Sequence, residues 1–355
     1  MNSLHSSFRL NGRSFAGVEE LLRYVEKYYP AHAEFLSRWF DERPEIELKT
    51  SGSTGKPKKI IFPKEKAILS ARRTGSFFDL PAESRALLML STEFVAGKMM
   101  WIRALTLGWH LDIFFESAGS MQKNYDFSAM VPVQAERYFS HLDQISKLII
   151  GGAPLSPETE EKLSHLSTEI YTTYGMTETL THIAVRPLTA AALKKMTDYP
   201  AGSLPGKYYQ IFPSVEISLG DGDTLIIEDA FLDIRVHTND VVRIYDRRHF
   251  EWLGRKDRVI NSGGIKIHPE IVERKLSGHI GNAFFVTGLP DRKWGEKLVL
   301  IIEGQEQPDI IEKIKNIPGL AYYEKPKSVY FIDKFVRSAG GKILRNESVS
   351  KSGIS

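Results

Sequence analysis

The chain has 355 residues, 42% apolar and 26% charged, which is the composition of a globular protein long enough for two or three domains. It contains no cysteine, which excludes disulfides, thiolate zinc sites and cysteine nucleophiles. The formal charge of +3 is spread over interleaved acids and bases. This pattern argues against a nucleic-acid interface and leaves room for a basic pocket that binds an anionic small molecule.

The sequence predicts neither an export signal nor a membrane span. Residues 1–15 lack the apolar stretch of a signal peptide. The longest apolar runs, at 86–90 and 298–302, fall far short of the roughly 20 residues that a membrane helix needs. We therefore expect a cytoplasmic protein.

The N-terminal part is predicted to be helical before it forms a hairpin. Apolar residues at helical spacing predict helices over 18–29 and 33–40. Strand patterns follow at 45–50 and 59–64, and we expect them to pair around the glycine-rich loop between them.

The sequence pattern of the rest of the chain changes twice. From 65 to 150, helices alternate with short apolar strands, which favours a mostly parallel α/β layer. Ser156 and Pro157 predict the start of a further helix, with the serine as its N-cap. From about 207, short strands and tight turns predict antiparallel β structure. The charged, glycine-rich stretch at 254–264 predicts a domain boundary, and a small α+β unit follows it.

Hydroxyls, glycines and lysines crowd the loop at 50–58, which reads TSGSTGKPK. Such a loop suits phosphate, because glycines let the backbone approach the oxygens, hydroxyls donate to them and lysines supply charge. It is not the Gly-x4-Gly-Lys-Ser/Thr loop of nucleotide hydrolases. Thr50 stands where that loop needs its first glycine, and Pro57 follows Lys56 where a hydroxyl is required.

The loop resembles the phosphate-binding motif of the adenylate-forming superfamily, which comprises acyl-CoA synthetases, peptide-synthetase adenylation domains and luciferases. Further motifs of that superfamily follow in order over nearly the whole chain. They are GGAP at 151–154, YGMTET at 174–179, TND at 238–240, GRKDRVINSGGIKIHPEIVE at 254–273, GLPDRKWGE at 288–296 and SAGGKILR at 338–345.

The resemblance implies an α/β fold of the adenylate-forming type. A large AMP-binding domain at 1–256 would combine layered sheets and helices with a small antiparallel β subdomain, its first lobe being shortened. A small, mobile α+β domain would follow at 257–355. ATP, Mg²⁺ and coenzyme A are the implied cofactors.

The resemblance also implies a nucleotide site. The phosphate loop would hold the β- and γ-phosphates of ATP through Ser51, Gly52, Ser53, Thr54, Gly55 and Lys56. Tyr174 would stack on adenine, and Gly152 and Ala153 would line the other side of the ring. Gly175 permits close approach of the backbone there, and Thr177 belongs to the same motif.

Ribose and magnesium would be held by carboxylates. Glu178 would bind Mg²⁺, since a hard cation prefers oxygen ligands. Asp240 would accept both ribose hydroxyls, and Arg255 would assist at the ribose and phosphate. Asn239 replaces the usual glycine of this motif, and we expect it to keep the turn by adopting the left-handed backbone that asparagine tolerates.

Lys342 is the residue that we expect to carry adenylation, together with Thr54 and Glu178. A lysine that bridges the attacking carboxylate and the α-phosphate would stabilise the charge that builds up in the transition state. It would be delivered by rotation of the C-terminal domain about Asp257. In the second orientation, Ser262, Gly263 and Gly264 would line the pantetheine tunnel.

The stretches at 91–108 and 130–139 resemble the 2-succinylbenzoate–CoA ligases of menaquinone biosynthesis, in which an arginine pairs with the succinyl carboxylate. Arg103 falls at that arginine's position, and its planar fork suits the task. Lys98 would add charge. His182 fits either the acid pocket or simple packing, and Phe94 stands where those ligases have a histidine.

Several alternatives stay open on the sequence. The region ahead of the phosphate loop is short, so the acid pocket is either more open than in relatives or completed by a second subunit in a homodimer. The substrate is either 2-succinylbenzoate or another aryl or aliphatic acid. An enzyme that passes its adenylate to a carrier protein and a nucleotide-binding module without catalysis are the further rivals. A mere binder has no need of Lys342.

Overall fold

A computed structural model describes residues 3–49, 59–114, 124–196, 198–203, 205–306, 309–337 and 343–354, with only the backbone of Lys315. Within these stretches no helix has the length and apolar character to cross a membrane. The predicted helices of the N-terminal part are present as α1 (Val18–Tyr28) and α2 (Pro30–Phe40). Pro30 occupies the first turn of α2, where its missing N–H is harmless.

The predicted hairpin is confirmed. Strands β2 (Glu45–Lys49) and β3 (Lys59–Pro63) are antiparallel, with Lys49 opposite Lys59. The residues of the phosphate loop therefore begin and end at the open end of this pair. Helix α3 (Lys64–Phe77) follows directly.

Six strands form the parallel part of a twelve-stranded sheet, in the order β1-β5-β4-β6-β7-β8. They are β1 (Arg9–Leu10), β4 (Arg85–Leu88), β5 (His110–Ile113), β6 (Tyr125–Met130), β7 (Ile145–Ile150) and β8 (Glu169–Gly175). The helices between them are α4 (Val95–Leu107), α5 (Pro132–Arg137) and α6 (Pro157–Ser164). Ser156 caps α6 by accepting the Thr159 N–H at 3.1 Å, as predicted.

The predicted antiparallel strands continue the same sheet edge to edge. Strand β9 (His182–Pro187) runs antiparallel to β8, and helix α7 (Ala190–Lys195) follows it. The order beyond β9 is β10-β14-β13-β12-β11. These strands are β10 (Tyr209–Ile211), β11 (Val215–Leu219), β12 (Thr224–Asp229), β13 (Ile234–Ile244) and β14 (His249–Arg255).

The C-terminal part is a separate α+β layer. A 3₁₀ helix (Lys256–Arg258) leads into a five-stranded sheet whose path is β16-β15-β18-β17, with β19 parallel to β18. The strands are β15 (Ile260–Ser262), β16 (Ile265–Ile267), β17 (Phe284–Asp291), β18 (Gly295–Glu303) and β19 (Ser328–Ile332). The helices are α8 (Pro269–Leu276), α9 (Ile310–Lys315) and α10 (Arg345–Lys351). Its buried apolar residues cluster separately from those of residues 8–250.

Candidate active site

The GGAP and YGMTET motifs meet at one edge of the large sheet. Strands β7 and β8 are parallel, so their carboxyl ends lie side by side, and both motifs begin there. The backbone is tightly packed at this edge. A Cβ on Gly175 would lie 2.4 Å from the Thr181 carbonyl oxygen, and Gly152 has a φ of +84°. Glycine is therefore required at Gly175 for close approach and is favoured at Gly152 for its conformation. Clefts outside the carboxyl ends of parallel strands are the usual ligand sites of such sheets.

Four of the predicted nucleotide and hinge residues form one polar chain. The Tyr174 hydroxyl donates to Asp240 Oδ2 at 2.7 Å, and both side chains are buried. Asp240 faces Arg255 across β13 and β14, with 3.9 Å between Oδ1 and Nη1. Arg255 Nε in turn donates to Asp257 Oδ1 at 3.2 Å. Burial and the neighbouring Asp240 carboxylate hold the pKa of Tyr174 well above its usual range, so its hydroxyl stays protonated and remains a donor.

The Tyr174 ring itself is packed edge-on against protein. Its centroid lies 5.8 Å from that of Tyr209 and 5.2 Å from that of Phe250. The hydrogen bond to Asp240 thus ties the residue predicted to meet adenine to the one predicted to meet ribose. The stacking of Tyr174 on adenine stays a prediction.

The expectation for Asn239 is wrong in its conformation. Thr238, Asn239 and Asp240 lie inside β13 rather than in a turn, and Asn239 is not among the residues with positive φ. The motif instead lies within an irregularity of the β12–β13 register, between His237 and Val241, and next to a second one between Val241 and Val242. The Thr238 hydroxyl accepts the Asp240 N–H at 3.1 Å and so helps to fix that carboxylate.

Glu178, the predicted Mg²⁺ ligand, is an exposed carboxylate beside the end of β8. It lies on a 3₁₀ helix (Thr177–Thr179) directly after β8, is exposed, and has no hydrogen-bond or ion-pair partner among the described side chains. No set of three or more acidic or histidine side chains within the described stretches could hold a metal by itself. A single free carboxylate fits Mg²⁺, which is usually bound by one or two carboxylates together with substrate phosphates.

Gly263 and Gly264 form a tight turn between β15 and β16. Both have positive φ, at +60° and +84°, which suits a two-residue hairpin turn. The Trp294 ring covers the turn, since a Cβ on Gly263 would lie 2.7 Å from it, and the Gly263 N–H donates to the Trp294 carbonyl at 2.7 Å. Ser262, which precedes the turn, is buried.

The segment around Asp257 is joined to the C-terminal layer through Glu270 of α8. Arg258 Nη1 donates to Glu270 Oε1 at 3.0 Å. Gly254 of β14 has a φ of +150°, which favours glycine, and a Cβ there would lie 2.4 Å from Glu270 Oε2. A glycine with positive φ and the Arg258–Glu270 ion pair thus flank Asp257 at the predicted hinge.

Arg103 is a buried cation for which the described part of the chain supplies no counter-ion. It lies on α4 and is 2% exposed. Its Nη2 donates to the Thr181 hydroxyl at 3.3 Å and its Nη1 contacts the Met100 sulfur at 3.7 Å, while its Nε has no partner. No described carboxylate lies within 4.0 Å of it. Burial, and then repulsion from Arg73, lower the pKa of Arg103 to about 9, so the guanidinium is still charged at neutral pH.

His182 belongs to the same cluster. Its Nδ1 lies 3.1 Å from the Thr181 hydroxyl, and its buried Nε2 has no partner. Burial, together with Arg103 and Arg73, holds the pKa of His182 well below its usual range, so the ring is neutral. Leu180, the residue before Thr181, has a φ of +64°, which is costly for a bulky side chain. A strained turn therefore presents the Thr181 hydroxyl to both Arg103 and His182.

Sequence reasoning missed Arg73 and Thr181. Arg73 on α3 forms a buried ion pair with Asp229 and donates to the His182 carbonyl at 3.3 Å. The helical period could have suggested it, because Arg73 lies beside the face of small residues formed by Ala67, Ser70, Ala71 and Thr74, whereas Arg72 is exposed.

Lys98 and Phe94 lie apart from that cluster. Lys98 Nζ reaches the Glu47 carbonyl at 3.4 Å and thus lies beside the β2–β3 hairpin rather than at Arg103. Phe94 is the N-cap of α4 and is 53% exposed. The structure does not bring either residue to the Arg103 guanidinium.

Two predicted groups lie outside the described residues. They are the phosphate-loop residues Ser51, Gly52, Ser53, Thr54, Gly55 and Lys56, and the catalytic candidate Lys342. Their roles stay predictions.

A family model described as AMP-binding enzyme matches residues 49–227. The chain is 23% identical to a 2-succinylbenzoate–CoA ligase of Enterococcus faecalis, over 95% of this chain and 75% of the relative. It is 27% identical to a feruloyl-CoA synthase of an Amycolatopsis species, over 84% of this chain and 68% of the relative.

Solved structures give a consistent result. An acyl-CoA synthetase (AMP-forming)/AMP-acid ligase II-like protein from Dyadobacter fermentans is 32% identical, with a TM-score of 0.56, and the match covers 91% of this chain and 94% of that one. The O-succinylbenzoate coenzyme A synthetase of Bacillus subtilis, solved in complex with ATP and magnesium ion, is 18% identical, with a TM-score of 0.69. That match covers 93% of this chain and 82% of the other, and it supports the same fold.

Proposed function

The chain belongs to the AMP-binding enzyme family, and we propose that it joins 2-succinylbenzoate to coenzyme A, releasing AMP and pyrophosphate. In the first half-reaction a carboxylate oxygen of the acid attacks the α-phosphorus of ATP, and pyrophosphate leaves. In the second, the coenzyme A sulfur attacks the acyl carbon, and AMP leaves. The thioester would serve menaquinone biosynthesis.

The observation that carries the choice of acid is the unpaired, buried charge of Arg103. A cation in this environment costs several kcal/mol unless an anion compensates it. A dicarboxylic acid meets that need, because one carboxylate is consumed in adenylation and the other stays free to pair with the guanidinium. The neutral His182 beside it, with a free Nε2, would add one hydrogen bond to the same substrate.

The nucleotide would lie at the carboxyl ends of β7 and β8. Asp240 would accept the ribose hydroxyls while Tyr174 and Thr238 fix its position. Glu178 would hold Mg²⁺, which neutralises phosphate charge when bound. Lys342 would stabilise the charge shared by the acid and the α-phosphate, and the phosphate loop would hold the departing pyrophosphate.

The second half-reaction would use the turn at Gly263 and Gly264. The domain boundary would lie between residues 256 and 257, with rotation about Asp257 exchanging Lys342 for this turn. Arg255 bonds Asp257 and also faces Asp240, so the ribose site and the hinge would be coupled in the orientation seen here.

A second candidate is a CoA ligase for a monocarboxylic aryl acid. The similarity to feruloyl-CoA synthases favours it. The two candidates differ in what they require of Arg103, because a monocarboxylate leaves no second charge to pair with it.

The test is pyrophosphate release from ATP with Mg²⁺ across 2-succinylbenzoate, ferulate, benzoate and octanoate, with and without coenzyme A. The enzyme is compared with Arg103→Met and with the matched control Arg72→Met, whose side chain is exposed on α3. We expect CoA-dependent turnover confined to 2-succinylbenzoate, lost in Arg103→Met and kept in Arg72→Met. If the enzyme turns over a monocarboxylate and Arg103→Met leaves that rate unchanged, the proposed substrate is wrong. If no acid releases pyrophosphate, the proposed ligase activity is wrong.

A further inference from the structure

The loop that joins β8 to β9, at residues 176–181, ends in a strained γ-turn. The Thr181 N–H donates to the Thr179 carbonyl at 2.7 Å, so this hydrogen bond encloses a single residue, Leu180. The φ of +64° and ψ of −43° at Leu180 are close to those of a classic γ-turn, which is rare and strained. A strained backbone persists only where its surroundings fix it. The turn therefore needs an anchor.

Two buried side chains hold this turn. The Leu180 side chain is fully buried in the main apolar core. The Thr179 hydroxyl, also fully buried, lies 2.8 Å from the Thr181 carbonyl oxygen and 3.0 Å from the Met176 carbonyl oxygen. It also accepts the Met176 N–H at 3.0 Å. Gly175 closes the other side, since a Cβ there would lie 2.4 Å from the same Thr181 oxygen. One hydroxyl thus fastens both ends of the loop.

The loop carries one group of each predicted site. Glu178, the predicted Mg²⁺ ligand, directly precedes Thr179 in the chain. Thr181, whose hydroxyl contacts both Arg103 and His182, follows on the other side of the strained residue. The metal site and the acid site therefore share one short piece of backbone, and Thr179 lies between them.

We propose that Thr179 is a positioning residue for both sites, setting the Glu178 carboxylate for Mg²⁺ and the Thr181 hydroxyl for the acid; the inference rests on the proposed function. The Thr179 hydroxyl holds the Thr181 carbonyl against the strain at Leu180. Without it, the turn would relax toward ordinary backbone angles and shift the Thr181 hydroxyl relative to Arg103. The same loss would release the start of the loop, which carries Glu178. Precision matters here, because misplacement of a reacting group by about 1 Å can cost about 100-fold in rate.

The alternative is that Thr179 only stabilises the fold, and Thr189 is the matched control for that role. Thr189 is likewise fully buried and bonded to three backbone groups. Its hydroxyl donates to the Thr168 carbonyl at 2.8 Å and accepts the N–H groups of Ile170 and Ala192, both at 3.2 Å. It follows the other end of β9 and has no hydrogen bond to the strained loop among the described residues.

The variants remove the two hydroxyls from the full chain in matched pairs. Thr179→Val and Thr189→Val keep the shape of the side chain. The alanine variants at both positions remove the hydroxyl without placing a methyl group against the backbone oxygens, so Thr179→Ala decides the question if Thr179→Val does not fold. Thr179→Ser restores the hydroxyl, and Thr181→Val removes a partner of the acid site alone. A thermal unfolding curve accompanies each variant.

Binding at the two sites is measured separately at equilibrium. The metal site is probed with Mn²⁺ in the presence of a non-hydrolysable ATP analogue, because bound Mn²⁺ loses the electron paramagnetic resonance signal of the free ion. The acid site is probed by calorimetric titration with 2-succinylbenzoate in the presence of the same analogue. Steady-state pyrophosphate release then gives KM for the acid and kcat.

We expect Thr179→Val and Thr179→Ala to weaken the binding of both Mn²⁺ and 2-succinylbenzoate by about fivefold or more, the equivalent of one hydrogen bond, and to lower kcat as well. Thr179→Ser should restore both affinities, and Thr181→Val should weaken only the binding of the acid. The Thr189 variants should lower thermal stability by a comparable amount and leave both affinities unchanged.

Three results would overturn the positioning role while leaving the ligase standing. They are Thr179 variants that behave like the Thr189 variants, weaker binding at one site only, and no rescue by Thr179→Ser. A wild-type chain that releases no pyrophosphate with any acid of the panel would instead overturn the proposed function and this inference with it.

Discussion

Two adjoining regions of the core each bury an arginine, and they treat its charge differently. On α3, Arg73 pairs with the buried carboxylate of Asp229 and donates to Ser214 and to the His182 carbonyl. On α4, Arg103 contacts only the Thr181 hydroxyl and the Met100 sulfur among the described polar side chains. The two guanidinium groups are close enough for Arg73 to depress the pKa of Arg103.

The Arg73 charge is paired within the fold, whereas the Arg103 charge is the one that we propose a ligand pairs with. Removing a charged side chain from water is repaid only where a partner compensates it. Asp229 compensates Arg73 within the fold, and the resulting network also fixes the backbone of His182. Arg103 has no carboxylate partner among the residues that the structure describes, and a buried cation without such a partner lowers the stability of the fold.

The largest effect is expected from breaking the buried Arg73–Asp229 ion pair. Asp229→Asn would leave Arg73 buried without its counter-ion, and we expect the free energy of unfolding to fall by about 3–5 kcal/mol. Urea denaturation measures the change. The exposed pair Arg235–Glu228 supplies the control, since Glu228→Gln should cost at most about 1 kcal/mol. A loss for Asp229→Asn no larger than this would remove the distinction between the two arginines.

Arg103→Met, unlike Asp229→Asn, should lower activity without lowering stability. Replacing an unpaired buried cation by an apolar side chain of similar length should leave stability unchanged or raise it. The kcat/KM for a dicarboxylic acid should fall by about 100-fold or more, because a buried, charge-assisted pair with the substrate is lost.

Steady-state kinetics and a denaturation curve on the same preparation test both parts. Strong destabilisation by Arg103→Met would mean that the guanidinium has a structural partner after all. Unchanged kinetics with the dicarboxylate would remove it from the acid site.

The sequence was informative where local pattern decides structure and less so where distant segments meet. The hairpin around the phosphate loop and the Ser156 cap follow from neighbouring residues, and both predictions are confirmed. The hydrogen bond between Tyr174 and Asp240 depends on strand order, which spacing does not encode. The Arg73–Asp229 pair likewise joins residues far apart in the chain.

Asn239 shows how a motif can mislead about the backbone. The glycine that it replaces in the family motif suggested a left-handed turn, whereas the residue continues β13 with an ordinary backbone. Asp240 is placed by irregular register of β13 against both neighbouring strands and not by a turn. Such an irregularity depends on the neighbouring strands and has no signal at position 239.

The neutral His182 makes the Arg103 region sensitive to pH. Its pKa is depressed in the folded state, with Arg103 and Arg73 as the charged neighbours. As pH falls below about 6.5, the unfolded chain takes up a proton that the folded one does not, so stability should fall with pH by up to about 1.4 kcal/mol per unit.

His182→Gln should remove this part of the slope. The measurement is the difference in the free energy of unfolding between wild type and variant across pH 5 to 8. Burial also lowers the pKa values of His32 and His268, but their contributions are the same in both proteins and cancel in this difference. Parallel stability curves for wild type and variant would show that His182 titrates normally and that the region is open to water.

The smallest effect is expected at the hydroxyl that joins Arg103 and His182. Thr181→Val keeps the shape of the side chain and removes one hydrogen-bond partner from each neighbour, at a cost of about 1 kcal/mol. If the hydroxyl orients both groups toward the acid, KM for the dicarboxylate should rise by about fivefold with kcat little changed. Thr181→Ser should restore it. A loss of stability without a change in KM, or no rescue by serine, would show that Thr181 only fills space, and Arg103 would then be oriented by packing alone.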